Sequence, residues 1–334
     1  MTKVAILGSG AWGTTLATLL AAKVIPVTLW EYHGERATAM QRDRENVSFL
    51  PGIKLPPFVS VTADLAGALD GADAVIFVTP AQRLRENVRL ATSYLSPNMI
   101  IICGSKGIEL GTKSRLSQIL QQELPQIPAS QFVALSGPNL AREIAEGKPA
   151  ATIVAATDTA TAQAAQQLLA APTLRVYATD DVVGVEIGGA MKNVIAIAIG
   201  CSDGLGYGSN SRASLITRGL AEIVRLAVAQ GGNPLTLAGL AGLGDLIATC
   251  SSALSRNYSL GLEITGSGRH PQEILGERHS VTEGVATARA ALEMAGDAVE
   301  LPITAALCRL FDGADARQLV AELLQRTARF ERDH

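Results

Sequence analysis

The opening stretch "VAILGSGAWGTT", residues 4–15, restricts the fold of this chain more than any other feature. Gly8, Gly10 and Gly13 form a GxGxxG pattern directly after an apolar β-branched run and at the head of a helix-like run. There each glycine has a separate task. The first permits a tight turn, the second lets a diphosphate approach bare backbone, and the third lets helix and strand pack closely. Free N–H groups and the helix dipole favour an anion at the helix start. An acid, Glu31, ends the next β-branched run, near where such folds hold the adenosine ribose. The stretch predicts a dinucleotide-binding strand–turn–helix unit.

The following residues keep to the same plan. Strand-like runs at 3–7, 26–30, 73–79, 99–104, 132–136 and 151–156 alternate with helix-like segments such as "GTTLATLLAAK" and "DLAGALDGA". This alternation predicts a doubly wound, mostly parallel α/β sheet over residues 1–178. After Thr179 strand-like runs nearly vanish. "SRASLITRGLAEIVRLAVAQGG" carries an apolar stripe at Leu215, Ile216, Leu220, Ile223 and Leu226 with a glycine stop, so 179–334 reads as all-helical. Two domains also suit a chain of 334 residues.

Composition excludes several classes. Hydrophobic residues make up 48% and charged residues 18%, enough for a large core, and a net charge of −3 gives no reason to expect nucleic acid or a membrane surface as partner. The four cysteines (Cys103, Cys201, Cys250, Cys308) form no CxxC pair, and the four histidines fit no metal spacing, so reduced buried thiols and no metal site are expected. The first residues imitate a secretory leader, but glycines and threonines interrupt the apolar run, which favours strand and helix. No run approaches the length and uniform apolarity of a membrane span.

One residue does not fit its surroundings. In "VGVEIGGAMKNVIAIAIG", residues 183–200, Lys192 and Asn193 sit inside an otherwise apolar helix. Burying an unpaired ammonium is costly, so Lys192 either snorkels to the surface or faces a closed site as a general acid or base. It is the last lysine of the chain; arginine and histidine supply every later cation. Asp245, after the glycine-rich apolar run "LAGLAGLG", is the available counter-charge. Lys106, in "CGSKGIE" after the fourth strand-like run, is either a solvated loop lysine or a substrate contact. Ser255–Arg256–Asn257 opens a helix, either simply capped by serine or forming an anion site. Ser136, Gly137 and Pro138 turn the chain into a further helix near Asn139.

With these residues in place, the chain closely resembles the bacterial NAD(P)-dependent sn-glycerol-3-phosphate dehydrogenases. The resemblance is carried by "GSGAWGT", "SKGIE", "SGPNLAREIAEGKPAA", "VGVEIGGAMKNVIAIAIGCSDGL", "NSRASLITRGLAE", "LAGLGDLIATC", "SRNYSLG" and "TEGVATA". It implies a Rossmann domain, an all-helical substrate domain and a reaction in the cleft between them. It also implies reversible hydride transfer between NAD or NADP and dihydroxyacetone phosphate or sn-glycerol 3-phosphate, feeding phospholipid synthesis in the cytoplasm. The sequence does not fix the oligomeric state, and a homodimer is one assembly open to it. By position, Lys192 corresponds to the catalytic proton acceptor, with Asn193 and Thr249 as its companions. Lys106, Gly137, Asn139, Asp245, Ser255, Arg256 and Asn257 fall on substrate positions. Ala11, Trp12, Tyr32, Lys106, Ala141, Arg256, Val281 and Glu283 fall on cofactor positions.

Two departures from the family pattern stand out. Asn139 occupies a place where many relatives have Ser or Thr, and "WEYHGER" replaces a basic or histidine-bearing stretch after the second strand. A carboxylate at Glu31 accepts hydrogen bonds from the 2′-hydroxyl of NAD and repels the 2′-phosphate of NADP. Arg36 and His33, a few residues on, can neutralise that phosphate, and Glu31 can instead point away from the ribose with Tyr32 stacked on the adenine. Weighing these, use of both cofactors with NADH favoured is expected. The alternative activity is that of a related two-domain dehydrogenase acting on a hydroxy acid or sugar acid.

Overall fold

The computed structural model describes residues 2–252, 255–277 and 282–327. The chain forms two compact units. One comprises Met1–Ser105 with Leu116–Val182; the other comprises Lys106–Arg115 with Val183–His334. Residues 106–115, read from sequence as part of the sheet domain, therefore belong by their contacts to the helical unit. Ile108 is buried in the helical unit's core, and Arg115 pairs with Glu186 at 2.5 Å.

The first unit is built on an eight-stranded sheet: β1 (Val4–Leu7), β2 (Val27–Trp30), β3 (Val59–Thr62), β4 (Ala74–Phe77), β5 (Ile100–Cys103), β6 (Phe132–Ser136), β7 (Ala150–Ala155) and β8 (Leu174–Thr179). Their order is β3-β2-β1-β4-β5-β6-β7-β8. Every neighbouring pair is parallel except β6 and β7. Six strands are predicted from the β-branched runs and eight form. The additional ones, β3 and β8, are the two edge strands, each with one face exposed, so neither reads as a buried apolar run. Alternate residues of β1 serve opposite faces: Val4 and Ile6 enter one apolar core, Ala5 and Leu7 another. Strand order reverses between β1 and β4, and in such sheets ligands bind at that crevice, outside the carboxyl ends of the strands.

The second unit wraps helices around Val182–Gly204, whose Ile187, Met191, Val194, Ile195 and Ile199 are fully buried. By length and mean hydropathy alone, two helical stretches, Val182–Gly204 and Pro234–Ser251, would be long and apolar enough to cross a membrane, although polar residues such as Glu186, Lys192 and Asn193 interrupt the first. In the first, 78% of the most apolar window is buried inside the protein, which makes it a core helix. Close backbone approach explains its glycines. A methyl at Gly188 would meet the Ala241 carbonyl oxygen at 2.6 Å, and one at Gly200 would meet that of Tyr258 at 2.1 Å. The helix Ser209–Ala229 turns its predicted stripe toward the same core.

Candidate active site

At the carboxyl end of β1 the three glycines divide their work as the pattern predicts. Gly8 has φ +118°, and a methyl there would strike the Val78 carbonyl at 2.8 Å. A methyl on Gly13 would sit 2.0 Å from the Gly8 carbonyl oxygen, so helix Ala11–Ala22 packs on the turn only with glycine there. Beside Gly10 there is open space, the condition a diphosphate needs. Asn46, which sequence reasoning missed, locks this turn. Fully buried, it donates to the Ser9 carbonyl at 2.6 Å and to Thr14 Oγ1 at 2.8 Å. An isolated asparagine in "RENVSF" gives no local sign of that task.

Polar atoms awaiting a partner border the same strand ends. Trp12 Nε1 after β1, Thr79 Oγ1 after β4, Ser136 Oγ at the end of β6 and Asn139 Oδ1 just beyond are buried without hydrogen bonds. Buried polar groups are almost always paired, so orphans gathered here fit a ligand that supplies the missing partners. The open glycine turn and these atoms together fit a dinucleotide. Ala11 opens the helix that starts this turn, and Ala141 opens another whose carbonyl accepts from Thr15 Oγ1 at 3.0 Å. Gly137 has φ +122° against Thr152, and Asn139 Nδ2 donates to Thr152 Oγ1 at 3.0 Å. That bond fixes the Asn139 amide against the end of β6 and β7.

Glu31 departs from the expectation set for it. Its side chain is only 3% exposed. It accepts from Ser9 Oγ, from the His33 backbone N–H at 2.8 Å and from Arg36 Nη2 at 2.6 Å. Burial pushes its pKa up, but the hydrogen bonds from Arg36, Ser9 and His33 outweigh this and hold the carboxyl below its ordinary value. The carboxylate is thus held within the protein by three donors and lies against the Arg36 guanidinium. Tyr32 beside it is 65% exposed and edge-on to both Trp30 and His33.

The second unit assembles the polar groups of the helical half. Gly188 lets the turn Leu240–Gly244 lie against the core helix one turn before Lys192, and Asp245 follows that turn directly. Lys192 Nζ stands 2.9 Å from Asp245 Oδ1 and donates to Thr249 Oγ1 at 2.7 Å. Thr249 in turn donates to Asp245 Oδ1 at 3.2 Å. Lys106 Nζ reaches the other oxygen, Oδ2, at 2.5 Å. One buried carboxylate thus joins two lysines and a hydroxyl. Burial pushes Asp245 toward the neutral acid, but Lys106 and Lys192 overcome it and hold its pKa below the ordinary value. Lys106 is lowered to about 8, first by burial and further by Lys192, with Asp245 opposing.

Two further connections complete the cluster. Asn257 Nδ2 donates to Asn193 Oδ1 at 2.8 Å, and the Gly284 N–H donates to Asn257 Oδ1 at 3.0 Å. Asn193 is thereby oriented by the helix Glu283–Ala295 through Asn257. Ser255 caps the helix Arg256–Gly266 by accepting from the Tyr258 N–H, and Arg256 is exposed at its first position. Of the predicted positions, Lys106, Lys192, Asn193, Asp245, Thr249 and Asn257 lie in the helical unit in two hydrogen-bonded groups joined by the neighbours Lys192 and Asn193. Ser255 and Arg256 stand at the adjoining helix start, and Glu283 opens Glu283–Ala295. Gly137, Asn139 and the glycine-turn positions belong to the sheet unit. Val281 lies outside the described residues. Among those residues no group of His, Cys, Asp or Glu could hold a metal ion. The four cysteines are buried and form no disulfide among the described residues, with Cys201 and Cys250 pushed up to about 12 by burial.

A Rossmann sheet with a prepared diphosphate turn in one unit and a buried lysine–carboxylate cluster in a helical unit of the same chain define a two-domain nicotinamide-dependent dehydrogenase. Residues 3–162 match the family described as NAD-dependent glycerol-3-phosphate dehydrogenase N-terminus, and residues 181–321 match its C-terminus. The chain belongs to this family and is an oxidoreductase. It is 49% identical over 331 residues to a glycerol-3-phosphate dehydrogenase of Citrifermentans bemidjiense named for NAD(P)+, covering 98% of each chain. It is 47% identical over 335 residues to the one from Thermobifida fusca, covering 99% of each. The crystal structure of glycerol-3-phosphate dehydrogenase from Coxiella burnetii aligns with TM-score 0.92 at 37% identity, over 97% of this chain and 99% of that one.

Proposed function

We propose that this chain interconverts dihydroxyacetone phosphate and sn-glycerol 3-phosphate with NAD or NADP, and that Lys192 handles the proton. The supporting observation is the bonding of Lys192. An ammonium has three N–H donors, and here Asp245 and Thr249 take two, leaving one for a substrate oxygen. When bound, the nicotinamide supplies or takes the hydride at C2, and the residues do the rest. In reduction, Lys192 as ammonium protonates the developing alkoxide at the C2 oxygen. In oxidation, neutral Lys192 takes the hydroxyl proton. Asp245 holds Lys192 and Lys106 in place and balances their charge. Thr249 fixes the direction of the Lys192 amine by accepting one of its protons.

Around this centre the other residues bind. Lys106 and Asn193 orient the substrate, and Arg256 with the N–H groups at 255–257 holds the phosphate. In the sheet unit, Gly8, Gly10, Ala11, Trp12 and Gly13 hold the diphosphate end of the cofactor. The reaction would serve glycerophospholipid synthesis in the cytoplasm, with the chain as a homodimer, a state that light scattering on a sizing column reads directly. The deciding experiment follows NADH and NADPH oxidation with dihydroxyacetone phosphate and with a panel of keto acids. Turnover with the phosphate ester alone is expected. A preference for a keto acid would overturn the substrate assignment in favour of a hydroxy-acid dehydrogenase.

A further inference from the structure

We infer that Asp203 is a positioning residue for the phosphate end of the site, fixing where the helix start that bears Arg256 and Asn257 stands against the helix of Lys192. The inference rests on the phosphate role proposed for Arg256 and asks what holds that helix start in place. Asp203 lies in the last turn of the core helix Val182–Gly204, and Arg212 lies in the first turn of the next helix, Ser209–Ala229. Helix dipoles favour the reverse, with cations at a carboxyl end and acids at an amino end. Pairing offsets this cost, for Arg212 Nη2 stands 2.5 Å from Asp203 Oδ2. Alone, that pair would merely close the corner between two consecutive helices. The same oxygen also accepts from Tyr258 Oη at 2.8 Å, and Tyr258 sits in the first turn of the helix Arg256–Gly266. One carboxylate oxygen therefore ties three helices together, and one of them carries Arg256.

Glycine packing explains why such a tie is needed. The helices Val182–Gly204 and Arg256–Gly266 meet backbone to backbone. A methyl at Gly200 would strike the Tyr258 carbonyl oxygen at 2.1 Å, and one at Gly261 would strike that of Ile197 at 2.0 Å. Where helices meet on bare glycine, no side-chain ridge enters a groove, so register is left to the polar contacts beside the glycines. Thr265 Oγ1 holds the far end by donating to the Cys201 carbonyl at 2.9 Å. At the near end stand the Asn257–Asn193 bond, between neutral groups, and the Tyr258–Asp203 bond, whose acceptor is charged. Bonds to an ionised group are roughly twice as strong as neutral ones. Burial first, and the bond to Asp203 second, push the Tyr258 phenol up, so it stays a donor.

The test compares steady-state constants of the full chain and its variants, with Tm measured alongside. Loss of positioning should raise KM for dihydroxyacetone phosphate and leave kcat and KM for the reduced cofactor unchanged. A merely structural role would instead lower Tm and the active fraction, hence kcat, with KM unmoved. Tyr258→Phe removes one hydroxyl and should raise that KM roughly threefold or more, part of the worth of a hydrogen bond to a charged group. Asp203→Ala should match or exceed this rise. Adding Tyr258→Phe to Asp203→Ala should cost nothing further, because both act through one bond. Asp203→Asn, whose amide oxygen can still accept from both donors, should restore most of the wild-type KM. Arg256→Ala is the reference and should raise the same KM roughly tenfold or more. If Arg256→Ala leaves KM unchanged, the phosphate reading falls and takes the inference with it. If Arg256→Ala raises KM while Tyr258→Phe and Asp203→Ala leave it unmoved, or lower kcat alone, only the inference is overturned. Should Asp203→Ala not fold, Tyr258→Phe decides alone.

Discussion

Lys192 sits in an apolar helix because Asp245 and Thr249 meet it there, so its burial is compensated and its third donor stays available. Replacing it by Ala should lower kcat by at least ~10²-fold, the usual scale for a general acid or base, with cofactor affinity unchanged. Near-normal turnover would return Lys192 to the role of a half-buried structural lysine. Lys106 sets a pH dependence. With its pKa near 8 in the folded protein, it loses its charge above that pH, and KM for dihydroxyacetone phosphate should rise. The sign for stability is opposite. The ordinary value is 10.5, so between about 8 and 10.5 the unfolded chain holds a proton that the folded chain has released. This lysine's contribution to stability therefore rises with pH across that window, and its burial costs most below about 8. A KM profile flat from pH 7 to 10 would remove Lys106 from the substrate. In Lys106→Arg, which stays charged, the rise should disappear.

Among the elements, the turn Leu240–Gly244 matters most, because it delivers Asp245. It winds as a π-turn, a local form often found at functional sites, and it lies against the core helix only where Gly188 leaves room. Gly188→Ala would place a methyl 2.6 Å from the Ala241 carbonyl, and backbone cannot yield as a side-chain tip does. Overpacking of this kind costs about 1–3 kcal/mol, so Tm should fall. The pairing of Asp245 with Lys192 should also slip, lowering kcat beyond what the stability loss explains. Gly276→Ala, where a new methyl meets nothing within 4 Å, is the control. Equal effects of the two substitutions would mean that close packing at Gly188 does not position Asp245. The glycines of "EIGGAMKN" and "LAGLGD" are visible in sequence as small residues beside polar ones. That one set admits the other's backbone is visible only once the two segments are packed.

At the scale of the molecule, the segment Lys106–Arg115 carries a site lysine out of the sheet unit's sequence and into the helical unit. Its far end is tied by Arg115 to Glu186, a pair with side chains 13% and 6% exposed. Breaking a buried pair from one side costs on the order of 3–5 kcal/mol, so Glu186→Ala should lower Tm clearly. Because Lys106 rides on the same segment, KM for the substrate should also rise, while binding of the dinucleotide holds. A variant with wild-type Tm and KM would show that the segment is anchored by other contacts alone. The sequence by itself determined the glycine turn, the α/β-then-α order, the helix carrying Lys192 and the list of polar groups around it. Those features depend on neighbours a few positions apart: a turn needs a residue free at positive φ, and a strand or helix needs its own apolar period. Tertiary structure alone decided that Lys106, 139 positions from Asp245, shares that residue's carboxylate with Lys192, and that residues 106–115 pack with the helices. It also decided that Glu31 spends its carboxylate on Ser9, His33 and Arg36. An acid after the second strand reads the same in sequence whether it faces a ligand or lies buried beneath an arginine. The choice is made by burial and by which donors the fold brings within about 3 Å, the ordinary hydrogen-bond distance.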